Sequence, residues 1–113
     1  MYQELYLIIK IMEAVLAGIK VIVTDDGYLK DFSDWNREIG QEIAKSEEIE
    51  MTDRHWEVIN WIQEQVLAEK ALSIRGVKKS GVIDIKEFYA LFPGGPLKKA
   101  TRIAGVPKPK SCI

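Results

Sequence analysis

The chain has 113 residues, the length of one domain with a modest hydrophobic core. It is 47% hydrophobic and 29% charged, with a formal net charge of −1. This composition is typical of a folded globular protein, so neither disorder nor a strong net charge accounts for its function. Its single cysteine excludes an intramolecular disulfide, so a reducing cytoplasm is the compartment that fits best.

An amphipathic helix over residues 1–18 is the first predicted element. Glu4, Lys10 and Glu13 interrupt its apolar run, which excludes a membrane span, and no basic segment of a signal peptide precedes it. Further apolar side chains on its polar side could meet a partner or a second copy, or pack against the chain's own domain. The main apolar stripe consists of Leu5, Ile8, Ile9, Met12, Val15, Leu16 and Ile19.

A β-hairpin is predicted next. Gly18 ends the helix, and residues 20–24 are rich in β-branched side chains. Asp26 and Gly27 then separate this run from Tyr28 and Leu29. An Asp-Gly pair between two short runs of this kind is a strong hairpin signal.

Two longer helices follow the hairpin. Asp31 or Ser33 can cap the first of them. Thr52 can cap the second, which extends to about Lys70 and is the clearest helix in the chain. His55 lies in the first turn of this second helix, where a capping or packing role is predicted for it. The apolar residues of the two helices are Trp35, Ile39 and Ile43, then Trp56, Ile59, Ile62 and Val66.

Three short helices and an arm complete the chain. The first helix is predicted over residues 73–79, and Asp84 with Glu87 forms a capping box for the second. A loop with two prolines and two glycines leads into the last helix, residues 96–104, which Gly105 ends. Residues 105–113 contain two further prolines and are predicted to form an extended, flexible arm.

Cys112 is the penultimate residue of this arm and is expected to be exposed and reactive. The seven steps from Gly105 to Cys112 allow a reach of about 23 to 25 Å. Lys108 and Lys110 favour the thiolate, whereas the nearby C-terminal carboxylate disfavours it. The free arm is therefore not expected to carry a strongly activated nucleophile, and activation would come from docking into a partner.

The charges are divided between the two halves of the chain. Residues 1–69 hold 6 basic and 15 acidic side chains, and residues 70–113 hold 10 basic and 2 acidic ones. The halves could complement each other across the fold, or the basic half could face an acidic protein, a phosphate backbone or a small anion. A helix-turn-helix DNA-binding regulator is the rival hypothesis, although the near-neutral net charge argues against it. Its basic residues would be Arg75, Lys78, Lys79, Lys98, Lys99 and Arg102.

A long C-terminal signature resembles that of the DsrC/TusE family of sulfur-carrier proteins. Shorter similarities in the same order occur upstream, in residues 25–29, 35–36, 52 and 55–60. The signature reads Leu91-Phe92-Pro93-Gly94-Gly95-Pro96, then Ala100, Ile103-Ala104-Gly105, Pro107-Lys108-Pro109 and Cys112.

The resemblance implies a mainly α (α+β) fold, an orthogonal helical bundle with a small N-terminal hairpin and an extended C-terminal arm. The expected organisation is a single domain over residues 1–113, with 1–18 as an extra amphipathic helix and 105–113 as the arm. The penultimate cysteine of the family receives sulfane sulfur as a persulfide, and here that residue is Cys112. Many members carry a second cysteine eleven positions earlier, where this chain has Thr101.

We therefore predict that the chain is a single-cysteine, TusE-like sulfurtransferase without its own active-site pocket. It would take sulfur from donor relay proteins and pass it to the enzyme that thiolates the wobble uridine of tRNA. The alternative is a DsrC-like protein of dissimilatory sulfur metabolism, acting with a sulfite reductase-like complex or in sulfur oxidation. One histidine and one cysteine cannot build a zinc site, and no metal or cofactor is expected. The residues expected to guide docking or stabilise the persulfide are Arg75, Lys98, Arg102, Pro107, Lys108, Pro109 and Lys110.

Overall fold

A computed structural model of the chain describes the backbone of residues 11–109 and the side chains from Met12 onward. Two antiparallel strands come first and pair as one small sheet. A 3-10 helix at Phe32–Asp34 and five α-helices follow, which confirms the expected mainly α fold with an N-terminal hairpin. The elements are β1 (Ile11–Leu16), β2 (Ile19–Thr24), α1 (Arg37–Ser46), α2 (Asp53–Leu67), α3 (Ile74–Ser80), α4 (Ile85–Leu91) and α5 (Pro96–Ala104).

The N-terminal segment differs from the expected helix. Residues Ile11–Leu16 form β1, so the helix prediction over residues 1–18 is wrong there, and residues 1–10 lie outside the described part. Ala17 and Gly18 form a two-residue turn with φ of 53° and 77°, which places Leu16 opposite Ile19. Two such positive φ values match the twist of a hairpin. The β-branched run of β2 therefore pairs with the segment before it.

The predicted turn at Asp26 and Gly27 is also present, but it adds only one bridge to the sheet. The backbone N–H of Thr24 donates to the carbonyl of Tyr28 at 2.8 Å, and Val23 forms an isolated antiparallel bridge with Leu29. The Asp-Gly pair thus correctly predicted that the chain reverses direction at this point. The partner strand that it indicated is replaced by β1.

Helix α1 begins one turn later than the cap prediction placed it. The Asn36 side chain accepts a hydrogen bond from the N–H of Ile39 and caps the helix, whereas Asp31 caps the preceding 3-10 helix. Gly40 lies in the middle of α1, where a Cβ would crowd the Trp35 ring and the carbonyl oxygen of Ile103. Its small size permits α1 to pack closely against α5.

Helix α2 begins as expected, with Thr52 as its N-cap. The ring of His55 completes the capping box, because its Nδ1 accepts from the Thr52 N–H at 3.1 Å. Its other nitrogen, Nε2, donates to the carbonyl of Leu91 at 2.9 Å and so joins α2 to α4. The capping and packing role predicted for His55 is confirmed.

The core surrounds α5, which packs against both α2 and α1. Leu97, Ala100 and Ile103 on α5 are fully buried. Ile59 and Ile62 of the predicted α2 stripe are also fully buried. The helix that precedes the arm is therefore held in the centre of the domain rather than on its surface.

Candidate functional site: the root of the C-terminal arm

The arm leaves the domain from a tightly closed helix end. Gly105 has φ of 71°, a left-handed conformation that ends α5, and its N–H donates to the carbonyl of Arg102 at 3.2 Å. The N–H of Val106 donates to the carbonyl of Thr101 at 3.3 Å, and its side chain is only 1% exposed. Because Val106 belongs to the core, the arm departs at Pro107 and not at Gly105.

Two side chains from other elements bind the last carbonyls of α5. The indole Nε1 of Trp35 donates to the carbonyl of Ile103 at 2.8 Å. The amide of Gln63, on α2, donates to the carbonyl of Ala104 at 2.9 Å. These carbonyls lack partners inside their own helix, so the two donors satisfy groups that the helix leaves open. The end of α5 is thereby held by two separate parts of the fold, the segment before α1 and helix α2.

Thr101 lies on the buried side of α5 and is fully inaccessible. Its hydroxyl donates to the carbonyl of Leu97 at 2.7 Å and lies 3.1 Å from the hydroxyl of the buried Tyr28. The Tyr28 hydroxyl also donates to the carbonyl of Lys98 at 3.3 Å. Tyr28 thus joins the hairpin to α5 one turn before the arm.

An ion-pair network connects the same helix to the end of α1. The Arg102 guanidinium binds Glu47, and the Lys99 ammonium lies 3.8 Å from the same carboxylate. The Glu47 side chain is only 13% exposed. Arg102 Nε is buried and unpaired among the described residues, and its guanidinium lies against Gly27 of the turn after β2. Arg102 therefore helps to hold α5 against the end of α1, and it also lies near the arm.

Residues Pro107 to Pro109 lie across a groove at the end of α2. The groove has a volume of about 440 Å³ and is bordered on the other side by residues 66 and 69–73. Lys108 turns towards the hairpin, where its ammonium lies 3.1 Å from a carboxylate oxygen of Asp26. Both partners are about half exposed, so solvent and salt weaken this contact.

The structure brings together only some of the predicted site residues. Arg102, Pro107, Lys108 and Pro109 all lie at the end of α5. Lys98 lies on the exposed side of α5 and Arg75 on the exposed side of α3. Lys110 and Cys112 lie outside the described residues. Two members of the basic set named for DNA binding, Lys99 and Arg102, are bound to Glu47.

The geometry of the root limits where the thiol can go. From Pro107, five residue steps lead to Cys112, which gives a maximum reach of about 17 to 18 Å. This reach is shorter than the one calculated from Gly105, because the arm leaves the domain two residues later. Among residues 11–109, no group of three histidine, cysteine or acidic side chains is placed to hold a metal ion.

Several residues of the root were not predicted from the sequence. Glu47 binds Arg102 and Asp26 binds Lys108, two cations that were predicted site residues. Neither carboxylate was predicted, because Asp26 carried only a turn signal and Glu47 lies among other acidic residues. Gln63 lies among ordinary polar residues of α2. The indole of Trp35 was assigned to a helix stripe, although Trp35 precedes α1. An aromatic or polar residue just outside its helix is a weak hint of a tertiary hydrogen bond.

The fold and the arm root define a class of small α-rich proteins with an N-terminal hairpin and a central last helix from which the C-terminal segment departs. The family model described as "DsrC like protein" matches residues 15–113. A relative from Photorhabdus laumondii named "Sulfurtransferase TusE" is 39% identical, and the match covers 88% of this chain and 96% of the relative. The chain therefore belongs to the DsrC-like family.

Solved structures of the same family agree with this assignment. The solution structure of Allochromatium vinosum DsrC has a TM-score of 0.76 at 32% identity, and the match covers 91% of this chain and 99% of that one. The oxidized DsrC of Archaeoglobus fulgidus, named as the gamma-subunit of the dissimilatory sulfite reductase, has a TM-score of 0.73 at 31% identity. That match covers 90% of this chain and all of the other. The resemblance inferred from the C-terminal signature is confirmed.

Family membership places the chain in a sulfur relay with other proteins. Among the helices of residues 11–109, none is long and apolar enough to cross a membrane.

Proposed function

We propose that the chain is a cytoplasmic sulfur carrier that holds sulfane sulfur as a persulfide on Cys112 and delivers it for 2-thiolation of tRNA wobble uridine. The observation that carries the proposal is the family match over residues 15–113, which includes the penultimate cysteine. The rigid helix end at Gly105 supports it, because a carrier must present its thiol from a defined base.

The chemistry consists of two thiol exchange steps. The Cys112 thiolate attacks the outer sulfur of a donor persulfide, the sulfur–sulfur bond of the donor breaks, and the donor leaves as a thiolate. Cys112 then holds the outer sulfur. In the second step a thiolate of the acceptor attacks that sulfur, and Cys112 is regenerated as a thiolate. No net oxidation or reduction occurs in either step.

The single cysteine favours a relay of this kind over redox cycling. Many DsrC-type proteins have a cysteine where this chain has Thr101, and the Thr101 hydroxyl is buried and hydrogen-bonded to Leu97. Threonine forms no disulfide, so the persulfide on Cys112 is resolved by a partner. Relatives named as TusE sulfurtransferases support the tRNA pathway. A sulfite reductase-associated role is the alternative, supported by the name of the Archaeoglobus relative.

The positively charged residues near the arm assist the proposed transfer. Lys108 and Lys110 precede Cys112 by four and two residues, and a cation near a persulfide anion lowers its free energy. Arg102 and Lys98 stand on the helix behind the arm, and Arg75 stands on α3. Pro107 and Pro109 keep the arm extended, because each proline fixes its own φ.

Intact-mass measurement tests the carrier role. Incubation of the reduced protein with a small sulfane-sulfur donor should add about 32 Da, the mass of one sulfur atom. The adduct should be lost on treatment with a thiol reductant and should be absent in Cys112→Ser. The matched control, Ser111→Ala, should load like the wild type. Absence of the adduct in the wild type would contradict the proposal.

Transfer from the loaded protein distinguishes the two pathways. Protein loaded with ³⁵S is incubated with a tRNA 2-thiouridine synthase, its nucleotide substrate and tRNA, and in parallel with a dissimilatory sulfite reductase. Label that enters tRNA only in the presence of the synthase supports the proposed pathway. Label retained on Cys112 until the reductase complex is added supports the alternative.

A further inference from the structure

The groove beside the arm root is predominantly apolar. Its walls are built from Val66 and Leu72 on one side and from Pro107 and Pro109 on the other. Leu67 follows Val66 on the last turn of α2 and is 69% exposed. Water-exposed apolar surface of this kind is costly unless something covers it.

A basic helix begins at the rim of this groove. Ser73 lines the groove and is also the N-cap of α3, so α3 starts beside the arm root. Arg75, Lys78 and Lys79 are exposed on α3, and the spacing of three and four residues puts them on one face. The buried Val77 marks the opposite face.

These three cations have no partner inside the described part of the chain. The remaining cations of that part include several that are paired, such as Arg54 with Glu87 and Arg102 with Glu47. The first turn of α3 contains no acidic residue, and Arg75 stands there, where the helix dipole disfavours a positive charge. The stability of α3 therefore does not explain why a positively charged residue occupies position 75.

We infer that the groove and the basic face of α3 together form the surface on which the sulfur-accepting enzyme docks. The inference rests on the proposed function. The partner presents an apolar side chain to the groove and acidic side chains to Arg75, Lys78 and Lys79. Docking there holds the acceptor within the reach of about 17 to 18 Å that five residue steps allow from Pro107.

A protein fits this surface better than RNA does. An interface between proteins combines an apolar centre with a charged rim, which is the arrangement of the groove and α3. RNA offers phosphates to the cations, but it offers little to a mainly apolar groove that contains two prolines.

The test uses carrier loaded on Cys112 with a small sulfane-sulfur donor, because this loading needs no docking surface. Single-turnover transfer to a tRNA 2-thiouridine synthase with tRNA is measured against carrier concentration. Arg75→Glu combined with Lys78→Glu should raise the half-saturating concentration about tenfold or more, with the maximum rate little changed. Ala71→Trp, which fills the groove from an exposed position, should act in the same way.

A matched control reverses two other exposed cations, Lys30→Glu with Lys45→Glu, and produces the same change in net charge. This variant should stay within about twofold of the wild type. The half-saturating concentration of the wild type should also rise steeply with salt, and that of the Arg75→Glu/Lys78→Glu variant should not.

The outcomes separate the two proposals. Wild type that loads and transfers, with the α3 and groove variants equal to the control, overturns the docking surface and leaves the carrier function standing. Wild type that does not load overturns the carrier function itself. A fluorescence titration with tRNA alone at physiological salt examines the RNA alternative: binding that the α3 reversal abolishes would assign this face to RNA and overturn the protein surface.

Discussion

Gly105 shows how one residue fixes the direction of the arm. Its left-handed backbone ends α5, and a Cβ added there would overlap the ring of Trp35. Glycine thus serves two purposes, since it adopts a positive φ and leaves space for the indole that binds the carbonyl of Ile103. The sequence indicated the first purpose, because glycine after a helix is a common stop signal. It could not indicate the second, which depends on a tertiary contact.

Replacement of Gly105 by alanine separates these two effects. The left-handed backbone alone costs a residue with a Cβ about 1 to 2 kcal/mol. Gly81→Ala is the control, because Gly81 has φ of 75° and nothing near its Cβ position. Gly105→Ala should reduce the free energy of unfolding in urea by more than Gly81→Ala does. Equal losses of unfolding free energy in the two variants would show that the Trp35 ring moves aside without an energetic cost.

Asp31 provides a pH-dependent contribution to stability. Hydrogen bonds from the backbone N–H and the hydroxyl of Ser33 hold the pKa of this carboxyl below its ordinary value of 3.8. A lowered folded-state pKa gives stability that is present above about pH 4 and is lost as the pH falls through the folded-state value. Asp31→Ala should therefore lower the unfolding midpoint at pH 6 and have a smaller effect at pH 2. A constant difference across this range would contradict the assignment.

At the scale of elements, local signals predicted the helices better than the strands. Thr52 and Asp84 cap their helices as predicted, and Pro96 begins the last helix. The capping box predicted for Asp84 and Glu87 is wrong, because the Glu87 carboxylate binds Arg54 instead. These signals act within four residues, so one sequence reveals them. The error over residues 11–16 arose because the same apolar residues satisfy a helical period and also a strand that pairs with β2. The turn at Ala17 lacks the asparagine or aspartate that normally marks it.

The arm root could be predicted only in part. The helix end at Gly105 and the prolines after it were read directly from residue types. The supports from Gln63, Glu47 and Tyr28 join positions that are between 41 and 73 residues apart in the chain. No periodicity or motif relates residues at such separations, so only the packed structure reveals these contacts.

Gln63 links α2 to the end of α5 and provides a test of that support. Ala104 is fully buried, so Gln63→Leu leaves its carbonyl without the side-chain donor. The expected loss is about 1 to 3 kcal/mol in the free energy of unfolding. Amide hydrogen exchange at Gly105 and Val106 should become faster in the same variant. Gln65→Leu, on the same helix, should change neither measurement by a comparable amount.

At the scale of the whole molecule, ion pairs between the acidic and the basic half of the chain account for part of the uneven distribution of charge. Glu47 of the acidic half binds Lys99 and Arg102 of the basic half, and Asp26 binds Lys108. The halves therefore complement each other at the arm root, one of the alternatives that the sequence left open. Among the described residues, the exposed cations of α3 form no such ion pair, so they are among the cations of the basic half that remain available to a partner.

The Glu47 network should be the strongest of these contacts, because its members are mostly shielded from water. Glu47→Gln removes the charge that compensates Arg102 and Lys99 and should cost about 1 to 3 kcal/mol of unfolding free energy. The double variant with Arg102→Met should lose less than the sum of the single variants, by about 1 kcal/mol. The exposed pair of Lys20 and Glu13 is the control, and its coupling should vanish in 1 M salt. Coupling at Glu47 should persist there, and strict additivity of the two substitutions would show that the pair does not hold α5 to α1.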